Sequence, residues 1–122
     1  MLDIKKAMTD DLRKKFSVET RKRIADRLLE QHPDRIPVIV LRGTSRDPEI
    51  DRKKFLVPSD LPVYRFINEL RHHINIKPHQ ALFIFFGGRT LAHSNTMSDM
   101  YSRHKDPDGF LYVTYSIENT FG

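Results

Sequence analysis

The groups with chemistry to offer in this 122-residue chain are a terminal glycine, six histidines, a glycine pair and scattered hydroxyl and carboxylate side chains. The sequence closes on SIENTFG, and the carboxylate of Gly122 is the least hindered acyl group a polypeptide can present to another molecule. A frayed end accounts for the same residue, because termini are ordinarily loose. His72 and His73 are adjacent, so on a helix they point about 100° apart and do not share a metal readily. No H-E-x-x-H spacing is present, and a metal site is not expected. Gly87-Gly88 lacks the flanking glycines and the Lys-Ser/Thr of a phosphate loop and reads better as a hairpin turn. No Ser/His/Asp order or close carboxylate pair stands out, no cofactor motif is recognisable, and an enzyme is not expected.

The sequence has no cysteine, which excludes a disulfide framework, a thiolate zinc site and a cysteine nucleophile within it. Its length suits one core, and 39% hydrophobic with 30% charged residues is a globular composition. The longest apolar runs, IPVIVL and ALFIFF, have strand length. Asp3, Lys5, Lys6, Asp10 and Asp11 break up the N-terminus, so no signal peptide is expected there and the location is expected to be cytoplasmic. A net charge of +5 favours anionic partners, whether phosphate, acidic lipid or acidic peptide. Acidic residues are interleaved with the basic ones before residue 32, which suits solvated helix faces better than a nucleic-acid-binding arm.

These groups need elements to position them. Ile4, Met8, Leu12 and Phe16 recur every fourth residue and draw one stripe on a helix, with Thr9-Asp10 as a possible break. A second helix is expected from about Val18 to Gln31, facing inward with Ile24, Leu28 and Ala25 and stopped by Pro33. Ile36–Leu41 reads as a buried strand, followed by a turn-rich loop and a short strand, Lys53–Pro58, that pairs with it as a hairpin. Ser59 or Asp60 is expected to cap the next helix, with Pro62 in its first turn. Val63, Phe66, Ile67, Leu70 and Ile74 form that helix's stripe. ALFIFF is a buried strand turned at Gly87-Gly88, Thr96-x-x-Asp99 opens a short helix, and Asp106–Gly109 turns into a last strand, Phe110–Ser116, apolar on both faces. Two helices followed by β-β-α-β-α-β define an α+β chain, and from Ile36 onward the order is that of a ubiquitin-type β-grasp.

Two stretches suggest binding. GFLYVTY partly matches the aromatic strand of an RNA-recognition motif through Gly109, Phe110, Tyr112, Val113 and Tyr115. Asp108 and Leu111 depart from that frame, and too little chain follows for the remaining helix and strand, so no nucleic acid is expected. KKFLVP is the stronger feature. Two lysines opening a short strand mark an exposed sheet edge, and such an edge accepts an extended peptide as an added strand. Lys54 and Leu56 project to one side and Phe55 and Val57 to the other, which suits a peptide with two apolar anchors and acidic flanks, although plain core packing gives the same alternation.

Together, HPDRIPVIV, KKFLVPSDLPVYRF, ALFIFF and DGFLYVTYSIENTFG resemble the autophagy ubiquitin-like modifiers of the GABARAP and microtubule-associated light-chain type, over about Val18 to Gly122. The resemblance implies a helical extension over residues 1–32 and a β-grasp over 33–122. It also implies activation at the C-terminal glycine by an ATP-dependent enzyme, transfer to a conjugating enzyme, and attachment to phosphatidylethanolamine on autophagosome membranes. A cysteine protease that processes and delipidates the modifier is a further implied partner, as are cargo receptors bearing an aromatic-x-x-aliphatic motif. A monomer is expected.

Carried onto this sequence, the resemblance makes Gly122 the acyl donor. It assigns the aromatic anchor's pocket to Leu28, Pro37, Ile39, Lys54, Leu56 and Phe110, with Ile24 as the alternative to Leu28 under a second alignment. The aliphatic pocket falls to Phe55, Val57, Pro58, Leu61, Phe66 and Leu70, and Arg35, Arg52 and Lys54 meet the acidic flank. Glu69 stands where the family commonly has an aliphatic residue. A non-covalent peptide-binding or cytoskeletal adaptor is the alternative that needs the groove but not Gly122.

Overall fold

The structure, a computed structural model, describes residues 12–88, the main chain of 90–91, and residues 96–119. Ile4, Met8 and Gly122 lie outside the described residues, so the first expected helix is described only as α1, Leu12–Lys15. Helix α2 (Val18–Gln31) starts where Ser17, in an extended conformation, accepts a hydrogen bond from the Thr20 N–H. It ends at His32, whose N–H bonds back to Leu28 O just before Pro33. Strand β1 is Arg35–Arg42, β2 Lys54–Pro58, β3 Gln80–Phe86, β4 Thr90–Leu91 and β5 Leu111–Asn119. Helices α3 (Val63–Arg71) and α4 (Met97–His104) lie between them in the chain.

The five strands form one sheet in the order β2-β1-β5-β3-β4. The central pair, β1 and β5, is parallel, with Val38 opposite Leu111, and every other pairing is antiparallel. Both faces of that pair are covered, which explains the uninterrupted apolar run of β1. Ile36, Val38 and Val40 join Leu111, Val113 and Tyr115 in a core closed by Phe66 and Leu70 of α3 and Met97 and Met100 of α4. Ile39, Phe110 and Tyr112 face the other way, beneath Leu12, Ile24, Ala25 and Leu28.

Several expectations need correction. Strand β3 is not buried throughout: Ile84 and Phe86 enter the α3–α4 core, but Phe83 on the opposite face keeps 37% of its surface. Among the described residues the second cluster draws on β1, β2 and the entry to β5 and on no residue of β3, so the described part of the α1–α2 layer does not pack on that face of β3. Helix α3 has Pro62 as its N-cap residue, with no side-chain cap. Ser59 instead donates its hydroxyl to Asp34 O at 2.9 Å, tying the helix approach to the start of β1. The helix ends at Arg71, and Ile74 reaches the core from an isolated bridge to Ile50. Strand β5 runs to Asn119 because β3 pairs with it as far as Gln80. Gly87 and Gly88, both at positive φ, turn β3 into the two-residue β4.

The α1–α2 layer is fastened by a buried carboxylate. Asp108 accepts from Arg21 Nη1 at 2.7 Å, from the Tyr112 hydroxyl at 2.6 Å and from the Phe110 N–H at 2.8 Å. The turn beside it comes so close to α2 that a Cβ on Gly109, at φ +93°, would lie 2.9 Å from that of Ala25. Asp108→Ala leaves the Tyr112 hydroxyl without its acceptor and Arg21 with Asp106, 3.8 Å away, as its acidic neighbour, and a loss of about 3 kcal/mol in urea unfolding is expected.

Candidate functional site

The site follows from how β2 sits in the sheet. It is an edge strand, bonded to β1 on one side only. Its alternation sends Phe55 and Val57 into the α3–α4 core, while Leu56 packs on the opposite face against the α1–α2 cluster and Lys54 is half-buried beside it. One short strand therefore borders an apolar cluster on one side and a cavity of mixed lining on the other, with its own outer edge between them.

On the α2 side the structure brings Ile24, Leu28, Ile39 and Phe110 into one cluster with Leu56. Ile24 and Leu28 stand one helical turn apart at the surface of that cluster, 9% and 6% exposed, and Phe110 and Ile39 lie behind them as floor. Pro37 is buried in the adjacent strand, opposite Leu56. Burial and the nearby Arg52 charge both lower the pKa of Lys54 from the ordinary lysine value. Arg35 and Arg52 are exposed at the two ends of the edge.

On the α3 side lies a cavity of about 540 Å³. Phe55, Val57, Pro58 and Leu61, four of the residues assigned by the resemblance to the aliphatic pocket, line it. Phe66 and Leu70 do not: both are fully buried, and Phe66 supports the cleft from behind through an edge-to-face contact with Phe55 at 5.9 Å between centroids. The remaining wall is largely polar, and of it the sequence reading singles out Glu69 and Arg52 but not Arg65, Asn68 or His72. Arg65, Asn68, Glu69 and His72 line the cavity from α3, joined by Arg52 and Leu56 from the β2 side. Their 3-1-3 spacing is one helix face next to the apolar stripe of Val63, Phe66 and Leu70, and that periodicity was available to find them. His73 braces this wall, with Nδ1 2.6 Å from Asp51 and Nε2 3.3 Å from Glu69.

The aromatic frame that suggested an RNA platform belongs to the core. Phe110 is 0% and Tyr112 4% exposed, because α1 and α2 cover that face and the Arg13 guanidinium sits 4.2 Å from the centre of the Tyr112 ring. Base stacking needs an open ring face, which neither residue has. Among the described residues no group of three or more His, Asp and Glu side chains is placed to hold a metal ion. Nor is any helix among them long and apolar enough to cross a membrane.

A β-grasp sheet with extra N-terminal helices on one face and an open β2 edge defines a ubiquitin-like protein. The family model described as "Autophagy protein Atg8 ubiquitin like" matches residues 20–122, and the chain belongs to that family. It is 47% identical over 116 residues to Autophagy-related protein 8 of Mycosarcoma maydis, covering 94% of this chain and 98% of the relative. To Autophagy-related protein 8d of Arabidopsis thaliana it is 50% identical over 106 residues, 86% of this chain and 88% of the relative. The crystal structure of Trypanosoma brucei ATG8 superposes with a TM-score of 0.79 at 42% identity, covering 93% of this chain and 98% of that one. Plasmodium falciparum Atg8, solved in complex with a peptide of Plasmodium falciparum Atg3, gives 0.78 at 31% identity, with 88% and 95% covered.

The lysine beside the edge offers a direct test of the site's electrostatics. Arg52→Ala removes the like charge while leaving the burial in place, so the Lys54 pKa is expected to rise part of the way to the ordinary lysine value. An NMR titration of the Lys54 side chain checks this, and an unchanged pKa would mean that the two charges do not sense each other.

Proposed function

We propose that this chain is a non-enzymatic autophagy modifier with two separable activities: conjugation through Gly122 to phosphatidylethanolamine, and recognition of aromatic-x-x-aliphatic peptides at the β2 edge. The observation that carries the peptide reading is the β2 edge with an apolar cluster on one side and a cavity on the other. An extended peptide added to β2 sends alternate side chains to opposite faces, so two anchors of suitable spacing reach the cluster and the cavity. Ile24 and Leu28 with Leu56 receive the aromatic anchor, and Phe55, Val57, Pro58 and Leu61 the aliphatic one. That the Plasmodium relative was solved with an Atg3 peptide supports peptide capture by this fold. It also supports a conjugating enzyme as a partner here.

Membership of the Atg8 family supports the conjugation reading. The Gly122 carboxylate is activated as an acyl adenylate, passes to cysteine sulfurs of the activating and conjugating enzymes, and is released to the amine of the lipid headgroup as an amide. A chain without cysteine contributes only the acyl group to this sequence of transfers. Autophagosome membrane is the resulting location of the lipidated form, and cargo receptors and a delipidating cysteine protease are its further partners.

Reconstitution with the activating and conjugating enzymes, ATP and phosphatidylethanolamine liposomes tests the first activity. An adduct with the mass of one phospholipid is expected with the wild-type chain and not with Gly122→Ala. If no adduct forms with enzymes proven active on another modifier, a groove-bearing adaptor becomes the better account. For the second activity, Leu56→Ala is expected to weaken an aromatic-x-x-aliphatic peptide by about 1–3 kcal/mol in titration calorimetry while leaving conjugation intact.

A further inference from the structure

Ladder parity determines which main-chain groups of β2 face outward. The Val40 N–H donates to Lys53 O across the hairpin at 2.7 Å, and the same register places Val38 opposite Phe55 and Ile36 opposite Val57. Alternate residues of an antiparallel ladder bond to the partner strand. Lys53, Phe55 and Val57 therefore turn their main-chain groups to β1, and Lys54 and Leu56 turn theirs away. Those two residues form the docking edge, and Pro58, the next outward position, has no N–H to offer.

Both outward carbonyls are already occupied. Arg52 donates from Nε to Lys54 O at 3.0 Å, and Arg35 donates from Nη1 to Leu56 O at 3.0 Å. The two side chains arrive from opposite ends of the strand, Arg52 from just before β2 and Arg35 from the first residue of β1, opposite Pro58. Arg52 does a second thing. Its guanidinium carbon lies 5.0 Å from the centre of the Phe55 ring, and Phe55 and Arg52 both line the α3-side cavity. One arginine thus covers a carbonyl of the edge and stands over part of the cleft beside it.

An added strand pairs with Lys54 and Leu56, so its N–H groups compete with both guanidiniums for the same carbonyl oxygens. We propose that Arg35 and Arg52 are latches that weaken the pairing of this edge with uncharged peptides, and that carboxylates flanking the paired core of a peptide release them. This rests on the peptide-groove reading of the same site. Each carboxylate draws one guanidinium off its carbonyl. The arginine then exchanges a neutral acceptor for an ionised one, which makes a bond roughly twice as strong. The vacated carbonyl takes the peptide N–H in its place. An uncharged peptide supplies the second half of that exchange but not the first, and must leave both guanidiniums to water. Acidity in the partner therefore acts by unlatching the edge as well as by attraction at a distance, and the two effects are separable.

The separating measurement is calorimetric titration with two end-blocked peptides sharing one aromatic-x-x-aliphatic core, flanked on both sides by Glu in the first and by Gln in the second. Each is titrated into the wild-type chain and into the double variant Arg35→Ala/Arg52→Ala. Release of the latches is expected to tighten the Gln peptide roughly threefold to tenfold, the worth of one or two exposed hydrogen bonds, while the Glu peptide weakens. A Gln-peptide affinity that is unchanged or lower in the variant overturns the latch and leaves attraction alone as the role of both arginines. Failure of the wild-type chain to bind either peptide overturns the groove reading itself, a result distinct from the first. Both arginines are exposed, so the variant is expected to fold, and a melting curve verifies this. Should the double variant unfold, the single variants Arg35→Ala and Arg52→Ala carry the same test, each with a smaller gain.

Discussion

The carboxylate of Asp108 draws its donors from two parts of the chain: Arg21 in the first turn of α2, and Phe110 and Tyr112 at the entry to β5. Its side chain has no accessible surface, so its charge is tolerable only because all three donors are in place. The Tyr112 phenol is held protonated as a result. Burial is the main cause, the Asp108 bond and charge add to it, and Arg21 opposes it, so the pKa is pushed well up. Arg21 and Asp108 together leave no net buried charge. This point sets the placement of α2 over β1 and β5. That placement in turn brings Ile24 and Leu28 into one cluster with Leu56, so the α2-side cluster depends on a bond made nearer the start of the same helix.

The sheet's asymmetry explains why an edge is available for binding. Helices cover β1 and β5 on both faces, so the centre of the sheet is closed to any partner. Strand β2 is short, begins with lysine and ends with proline, features that discourage indiscriminate strand pairing. Its outward carbonyls are occupied by arginines of the same chain, which adds to that protection. An edge guarded in this way is selective by construction, since only a partner able to compensate the guards gains from displacing them.

Much of this was legible in the sequence wherever the determining interactions are local. The Thr96 cap, the α2 stripe, the Gly87-Gly88 turn and the double-faced apolar character of β1 and β5 all follow from residues within a few positions of one another. What was missed depends on register and on neighbours distant in sequence. Ser59 looked like a helix cap, but its hydroxyl bonds to Asp34, 25 residues earlier. ALFIFF looked buried, but only the layer above it decides that, and α2 stops short of β3. Phe66 and Leu70 were assigned to the cleft by the family resemblance, while their phase on α3 carries them into the core and leaves Arg65, Asn68, Glu69 and His72 as the wall. That Arg35 and Arg52 sit on outward carbonyls needs the β1–β2 register, which no local pattern encodes.

The same logic separates the two ends of the molecule that the proposed function uses. Strand β5 is parallel to β1 and outlasts it: their pairing ends at Arg42 and Tyr115, while β5 continues to Asn119. Beyond that point the loop after β1 takes over as partner. The Gly43 N–H donates to Tyr115 O at 2.7 Å, and Asp47 Oδ1 accepts the Ile117 N–H at 2.8 Å, so a side-chain carboxylate supplies the acceptor that β1 no longer provides. Thr44 holds Asp47 through its own N–H and hydroxyl, and the Tyr115 hydroxyl donates to Pro48 O in the same loop. The root of the C-terminal segment is thus gripped by this loop on one side and by β3 on the other. It lies two strands from the β2 edge, about 10 Å at ordinary strand spacing, and shares none of its hydrogen bonds. A strand added to the outer edge of β2 therefore leaves the hydrogen bonds that hold β5 as far as Asn119 unaltered.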